Sequence, residues 1–263
     1  MNKTAIFLLF LMFSANCFSQ GRLKQSKDEL KSGSQYRDKY ETQSYSYRSY
    51  LDDVDRSLLV NVFSHIFIFT LFGNVSEEQI HNLYTPYPYF YAKTGNYIEP
   101  QYDDIQSYTR FTIENNIYPV MQKVFANRLK GKVNFRYFGF QGDWLQMQEL
   151  KGTSLAIFNL SFCYDRLRFK RFNWGWNVGV NFVGSGVNEL GFSAGTDAEV
   201  FVFEPVSLYV SAKWSAINSQ PVNQYEIRVK HYMNRFYISG GFESIKVATP
   251  RYNYITMGGG VCF

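Results

Sequence analysis

Residues 107–263 alternate between apolar and polar side chains, which is the pattern of β-strands with two different faces. In residues 173–183, Trp174, Trp176 and three further apolar residues share one face, while Asn and Gly residues occupy the other. Similar stretches recur between turn signals along the whole region. The pattern predicts an all-β fold, but alternation alone also fits a soluble sandwich with one buried face. The signal peptide described below, the terminal Phe263 and the aromatic residues at strand ends favour an antiparallel up-and-down transmembrane β-barrel, whose apolar faces meet lipid.

The alternation predicts about ten strands, and eight is the fallback because the first two strands have the weakest alternation. An even number returns both ends of a barrel to the same side of the membrane. The predicted strands cover residues 107–116, 124–138, 140–149, 153–165, 168–184, 189–203, 205–217, 221–233, 235–247 and 251–263.

The inward faces of these strands carry charges of both signs. The predicted inward charges are Arg136, Asp197, Glu199, Lys213, Glu226, Arg228, Lys230 and Glu243. A barrel of eight or ten strands has an interior filled by side chains. We therefore expect a buried ion-pair network instead of a conducting pore, and a long outer link only near residues 118–127.

Residues 1–19 have the features of a secretory signal peptide, since Lys3 precedes an apolar run and a small-x-small site ends at Ser19. Lipidation of Cys17 is the alternative, which the preceding Asn16 disfavours. Residues 20–50 are polar and without period, and they are predicted to form a flexible tether.

Residues 51–106 are predicted to form a helical and aromatic segment in the periplasm or at the membrane interface. Within it, residues 58–72 are mostly apolar, with a narrow polar stripe at Asn61, Ser64 and His65. This run is short for a membrane span, so we expect it in the inner leaflet or against the barrel mouth or a partner. A helix buried in a small periplasmic domain is the alternative.

A capping-box pattern at Ser76 predicts a second short helix through Leu83. Residues 84–91 then combine prolines with aromatic rings, which excludes regular structure and favours either the membrane interface or a docked protein. The candidate residues for a partner interface are Phe63, Phe67, Phe69, Tyr84, Tyr87 and Tyr89.

The amino-acid composition excludes some classes of protein and of partner. Aromatic and charged residues each make up 19% of the 263 residues, which excludes a disordered chain. The net charge of +5 is mild and spread out, so we expect no nucleic-acid partner. Cys163 and Cys262 have no metal-ligand spacing, and we expect small buried thiols there, with a disulfide as the alternative.

The segment at residues 252–263 has one apolar face that includes Val261 and Phe263, with Tyr254 on the other face. It resembles the C-terminal strand of outer-membrane β-barrels of Gram-negative bacteria. The resemblance implies that Tyr254, Val261 and Phe263 form a signal for the barrel-assembly machinery. It also implies an outer-membrane location in contact with outer-membrane lipid, and the N-terminal segment is expected in the periplasm. The whole chain is similar to uncharacterised barrel proteins of Bacteroidota, a likeness that transfers no activity.

No catalytic constellation emerges from the pattern, so the chain is expected not to be an enzyme and to need no cofactor. His231 is expected at a strand end without a relay, and His65 and His81 lie on separate predicted helices. We expect an accessory or structural subunit of a larger outer-membrane assembly, such as barrel-insertion or protein-secretion machinery, with other envelope proteins as partners. The alternatives are a stand-alone barrel that binds, carries or modifies lipid or a small apolar molecule, and a soluble periplasmic β-protein.

Overall fold

A computed structural model describes residues 21–33, 73, 83–91, 95–98, 109–121, 123–135, 138–150 and 152–263. Several of the predictions fall on other parts of the chain. The signal peptide at 1–19, the apolar run with Phe63, Phe67 and Phe69, and the inward Arg136 lie outside the described residues.

Ten antiparallel strands close into a single barrel in chain order, and the last strand pairs with the first. The barrel strands are β3 (Arg110–Met121), β4 (Val124–Asn134), β5 (Phe138–Glu149), β6 (Ser154–Phe169), β7 (Phe172–Val183), β8 (Glu189–Phe203), β9 (Val206–Ile217), β10 (Gln220–Met233), β11 (Phe236–Val247) and β12 (Arg251–Cys262). The prediction of ten strands in an up-and-down barrel is confirmed. Closure gives every strand two hydrogen-bonded neighbours, which a sheet with free edges does not do.

The link between β3 and β4 differs from the prediction of a long outer link near residues 118–127. Tyr118 pairs with Ala126 and Met121 pairs with Val124, so the strands continue to a tight turn. The prediction of a long link was wrong: Pro119, which cannot donate a ladder hydrogen bond, lies within strand β3. The register shifts between Tyr118 and Met121, and this irregularity accommodates the proline inside the strand.

The barrel wall is apolar on the outside and polar on the inside. Trp144 is 51% exposed and Ile238 is 56% exposed, whereas Arg128 is 1% exposed and Glu243 is 0% exposed. Burial of charge beneath an apolar outer surface is the reverse of a water-soluble protein. It is stable where lipid surrounds the wall and closure satisfies the backbone, so the barrel spans a membrane.

The last strand has the faces that its alternation predicts. Tyr254 is fully buried in the lumen, whereas Phe263 is 58% exposed on the outside, where its ring stacks with Phe111 at 6.3 Å. Phe263 and Phe111 also exchange two backbone hydrogen bonds of 2.8 and 3.0 Å. The role of Tyr254, Val261 and Phe263 as an assembly signal remains a prediction.

A helix occupies part of the region that was predicted to be a flexible tether, which corrects that prediction for these residues. Helix α1 spans Arg22–Ser32, and its buried residues Leu23, Ser26 and Leu30 form one stripe at helical spacing. Gly33, which follows the helix, approaches so closely that an added Cβ would lie 1.9 Å from the backbone oxygen of Asn218. Only glycine fits there.

Helix α1 lies across the barrel mouth formed by the links β3–β4, β5–β6, β7–β8, β9–β10 and β11–β12, which we call the helix mouth. The backbone N–H of Leu23 donates to Glu149 at 2.9 Å, and the Ser26 hydroxyl donates to the Val247 carbonyl at 3.1 Å. The side-chain amide of Asn218 donates to the Leu30 carbonyl at 2.8 Å. The helix therefore ends on the barrel itself.

A short hairpin covers the other mouth, where β3 begins and β12 ends, which we call the C-terminal mouth. Its strands β1 (Leu83–Tyr84) and β2 (Tyr97–Ile98) pair antiparallel. Leu83 was predicted to end a short helix and instead begins β1. The N–H of Gly95 donates to the carbonyl of Lys170 at 2.6 Å, which fixes the hairpin to the β6–β7 link. Among the helices that the structure describes, none is long and apolar enough to cross a membrane.

Candidate functional site in the barrel lumen

Two arginines organise the middle of the lumen. Arg128 on β4 places Nε 3.2 Å from Asp143 Oδ1, and its Nη1 lies 2.7 Å from Glu243 Oε1 on β11. Arg228 on β10 places Nε 2.7 Å from Glu226 Oε1 and also pairs with Glu114. The alternation of each strand aims these charges inward, where carboxylates compensate them. Asp143 and Glu226 lie on a neighbouring strand and on the same strand, whereas Glu243 and Glu114 come from across the lumen.

A second layer of polar contacts links β5, β6 and β9. The Lys213 ammonium donates to Asn159 Oδ1 at 2.9 Å and lies 3.5 Å from Asp143 Oδ2. Asn159 in turn donates to Asn181 at 2.5 Å and to Ser193 at 2.9 Å. The contact of Lys213 with Asp143 joins β9 to the distant β5 across the lumen, while the bonds of Asn159 connect β6 with β7 and β8.

A cavity of about 80 Å³ lies in the described part of the lumen and holds a few water molecules. It lies between the central network and the C-terminal mouth. Its charged lining residues include Lys130, Lys132, Lys230, Asp197 and Glu199. Lys230 pairs with Glu199 at 3.2 Å. The cavity is too small for a lipid or for a drug-sized ligand.

Tyr84 closes this cavity from the C-terminal mouth. Its hydroxyl donates to the Asp165 carboxylate and accepts a bond of 2.8 Å from the side-chain amide of Asn134. The Tyr97 hydroxyl donates to it at 3.1 Å, and the Arg110 guanidinium lies 4.8 Å from the ring centroid of Tyr84. Burial raises the pKa of Tyr84 well above its ordinary value, and the charge of Asp165 raises it further. Tyr84 therefore remains a protonated donor.

The predicted partner-interface residues have different environments. Tyr84 is only 1% exposed, so its assignment to a partner surface is corrected: it packs inside the mouth of its own barrel. Tyr89 is half-buried, and its hydroxyl donates to the Val206 carbonyl at 2.7 Å. Tyr87 is also half-buried, whereas its neighbour Phe90 is 40% exposed. Tyr87 and Phe90 contact each other edge to face at 5.1 Å and form the exposed aromatic part of this cover.

Burial raises the pKa of Tyr89, and the carboxylate of Glu199 adds to the rise. The ring of Tyr89 lies 5.4 Å from Phe201 and 5.7 Å from Tyr232, which are both buried. The segment therefore uses its tyrosines to hold the cover on the barrel. The sequence alone suggested an interfacial or partner role because tyrosine is typical of both settings.

The helix mouth is sealed by apolar contacts. Leu23 and Leu30 of α1 join a buried cluster with barrel residues that include Met147, Ile217 and Val247. Glu29 at the edge of this seal accepts a hydrogen bond of 2.8 Å from the backbone N–H of Thr249. Burial raises the pKa of Glu29, but the hydrogen bonds from Thr249 and Gln25 outweigh it and lower the pKa.

The predicted inward charges lie where alternation put them. Glu199, Lys213, Glu226, Arg228, Lys230 and Glu243 are buried in the lumen, and Asp197 lines the cavity. Sequence reasoning missed Glu114, Arg128 and Asp143, which complete the network. The signal was present in the alternation of β3 to β5, and it was overlooked because those strands carry glycine and polar outward residues.

The sequence also singled out a histidine and two cysteines as candidates for chemistry. His231 is exposed near the C-terminal mouth. Cys163 and Cys262 are buried and free, as predicted. No group of three or more His, Cys, Asp or Glu residues suited to a metal ion occurs in the described residues.

Comparison with known proteins gives only distant structural likenesses. No family model matches the chain, and no curated protein matches it. Neisserial surface protein A (NspA) is similar with a TM-score of 0.30 and 10% identity, over 59% of this chain and 96% of that chain. LpxR from Salmonella typhimurium has a TM-score of 0.35 and 11% identity, over 61% and 86%. Ail, the attachment invasion locus protein of Yersinia pestis, has a TM-score of 0.29 and 11% identity, over 59% and 97%. These likenesses assign no function to this chain.

Proposed function

We propose that this chain is a non-enzymatic outer-membrane β-barrel that acts as an accessory or structural subunit of a larger outer-membrane assembly. The observation that carries the proposal is that ion pairs cross the lumen while segments of the same chain cover both mouths. Where the structure describes the lumen, side chains from several strands fill it, which supports a role outside the lumen. What it offers to other molecules is its wall and its rims.

The short links of the barrel support the same proposal. At the helix mouth β9 is followed by β10 after two residues, and β11 by β12 after three. Barrels that recognise external ligands usually do so with long loops. We therefore propose that other envelope proteins, such as parts of the barrel-insertion or protein-secretion machinery, are the partners. The exposed Phe90, with the half-buried Tyr87 and Tyr91 beside it, is the part of the aromatic cover that we propose faces them.

Affinity purification in mild detergent tests this function, with a tag inserted at residue 44 of the full chain. We expect defined envelope proteins to co-purify at unit stoichiometry, and Phe90→Ser to reduce their amount. Phe236→Ser is the matched control, because Phe236 is an exposed aromatic residue of the wall. A lone barrel that purifies without partners under these conditions would refute the subunit proposal.

An alternative function is the handling of lipid or of a small apolar molecule. One observation favours it: a groove of about 270 Å³ lies on the outer wall, lined by Trp144, Ala156, Phe158, Phe182 and Gly184. An acyl chain fits such an apolar groove. Mass spectrometry of the purified barrel distinguishes the two functions, because the alternative requires one lipid species at unit stoichiometry that Ala156→Trp displaces.

A further inference from the structure

Arg110, at the start of β3, carries a buried guanidinium that no described carboxylate compensates. Arg110 is 6% exposed, and its Nη1 donates to Asn96 Oδ1 at 3.0 Å. Its buried Nε has no hydrogen-bond partner among the described residues. Every ion pair in the described lumen uses another cation. The ionisable groups that act most strongly on its charge are all neutral at neutral pH: Cys262, Tyr84, Tyr97 and Tyr232.

Arg110 lines the cavity of about 80 Å³ behind the hairpin that covers the C-terminal mouth. The ionised side chains that line this cavity are Arg110, Lys130, Lys132, Lys230, Glu114, Asp197 and Glu199. These are four cations and three carboxylates, so one positive charge is in excess at neutral pH. A small oxyanion takes up the space of a few water molecules, which this cavity provides.

Two carboxylates of the cavity already compensate other cations. Glu199 lies 3.2 Å from the ammonium of Lys230, and Glu114 pairs with the guanidinium of Arg228. A charge inside a protein is costly unless an opposite charge and hydrogen bonds compensate it. Glu199 and Glu114 therefore do not provide the counter-charge for Arg110.

The third carboxylate, that of Asp197, faces the lysines of β4. The cations that act on Asp197 most strongly are Lys132 and Lys130. Lys132 also lies 3.8 Å from Asp165, so these lysines and acidic groups balance one another on that side of the cavity. The positive charge that remains uncompensated is the guanidinium of Arg110.

The surroundings of Arg110 suit an anion with two or more oxygens. A guanidinium is planar and presents its N–H donors in a fork that matches a carboxylate or a phosphate. The ring centroid of Tyr84 lies 4.8 Å from the centre of the guanidinium, and Asn96 holds Nη1, so its plane is fixed. Tyr84 and Asn96 belong to the hairpin, whereas Arg110 belongs to the barrel. The hairpin and the barrel therefore build this site together.

We propose that the cavity behind the hairpin binds one small oxyanion, a phosphate or a short carboxylate, which accepts hydrogen bonds from Arg110. The anion provides the counter-charge that the described side chains do not supply. Because the cavity is too small for a lipid, the ligand is a free ion and not the headgroup of a membrane lipid.

Equilibrium dialysis of the detergent-purified full chain, with radiolabelled inorganic phosphate and separately with radiolabelled formate, tests the binding. We expect one of these anions to bind saturably at one ion per chain. Arg110→Gln should weaken this binding about tenfold or more, because it removes a charge-assisted hydrogen bond. Arg110→Lys, which keeps the charge and loses the planar fork, should bind with intermediate affinity.

Arg235→Gln is the matched control, because Arg235 is an exposed arginine at the same mouth and its loss should leave the affinity unchanged. The heat-dependent mobility shift shows that each variant contains a folded barrel. If neither phosphate nor formate binds the native chain saturably, or if Arg110→Gln and Arg110→Lys both bind with the native affinity, the proposal is refuted.

Protection of Cys262 tests where the anion binds. The thiol of Cys262 is buried and lines the same cavity, whereas Cys163 is buried but does not line it. Reaction of both thiols with methyl methanethiosulfonate is followed by peptide mass spectrometry, with and without the bound anion at constant ionic strength. We expect the anion to slow the reaction of Cys262 in the native chain, not in Arg110→Gln, and to leave Cys163 unaffected. Equal Cys262 rates with and without the anion would place it outside this cavity and overturn the proposal.

Discussion

For single residues of the lumen, the alternation of a strand predicts which face of the wall a side chain occupies, but not which other charge it pairs with. Period-two spacing placed Arg228 and Glu243 inside correctly, because successive side chains of a strand point to opposite faces. It could not show that Arg128 pairs with Glu243 at 2.7 Å, since these residues lie far apart in sequence. Shear and closure of the barrel decide which charges meet.

Loss of Arg128 should destabilise the barrel strongly. Arg128→Met leaves Asp143 and Glu243 as buried carboxylates without their main cation, and breaking a buried pair in this way costs about 3–5 kcal/mol. Urea unfolding in detergent, followed by the mobility shift on gels, measures the loss. Arg128→Met combined with Glu243→Gln should recover part of it. An unfolding midpoint that Arg128→Met leaves unchanged would contradict the claim that these buried ion pairs stabilise the barrel.

Tyr84→Phe should loosen the cover of the C-terminal mouth. The variant keeps the ring and removes the hydroxyl that bonds to Asp165 and Asn134, which leaves buried polar groups unsatisfied at a cost of about 1–3 kcal/mol. Cys262 lines the cavity behind this cover, so its thiol should react faster with maleimide. Tyr225→Phe on the outer wall is the matched control. Equal Cys262 reactivity in both variants would show that the hydroxyl does not hold the cover.

Among the elements of the fold, the local sequence pattern predicts the strands, whereas helix α1 depends on contacts between residues far apart in the chain. Strands β6 to β11 were predicted within a few residues, because strong alternation and turn residues bound each one. Helix α1 was missed because its sequence, RLKQSKDELKS, is mostly charged and carries only two leucines. The spacing of Leu23, Ser26 and Leu30 was its signal, and only the barrel mouth gives that narrow stripe something to cover.

Leu30→Ser should release α1 from the mouth without unfolding the barrel. The substitution removes one of the two leucines that the helix buries, and truncations of buried leucine typically cost about 2–5 kcal/mol. Trypsin should then cleave at Lys24 and Lys27 while the heat-dependent mobility shift of the barrel persists. Asp28→Ser, at an exposed position of the helix, should leave cleavage at the native rate. Equal protection of α1 in both variants would mean that Leu30 does not anchor it.

Docking of α1 should also weaken in acid. The pKa of Glu29 is lowered in the folded chain, so its carboxylate contributes fully above the ordinary glutamate pKa and is lost as pH falls through the lowered value. Because Glu29 lies at the edge of the seal and is partly exposed, the effect should stay below about 1 kcal/mol. Protection of α1 against a protease that is active in acid should fall below about pH 4 in the native chain more than in Glu29→Gln. Parallel pH profiles of the two chains would contradict this role.

At the scale of the whole molecule, the barrel is a membrane body whose inside is filled and whose mouths are covered by its own chain. The inside-out distribution of side chains was predictable from sequence, because alternation defines two faces and the signal peptide with the terminal Phe263 favours lipid on the apolar face. The covers were not predictable, since Tyr84 and Leu23 reach the barrel through contacts with residues that lie far along the chain. Function is correspondingly expected at the wall and the rims.

Conductance in planar lipid bilayers tests most directly the claim that the lumen is closed. The full chain, inserted from detergent, should show no current above that of the bare bilayer at any voltage the bilayer tolerates. Deletion of residues 22–32 should leave this result unchanged, because the ion pairs between β4 and β11 and between β9 and β5 remain in place. Stable single-channel steps from the full chain would contradict the account.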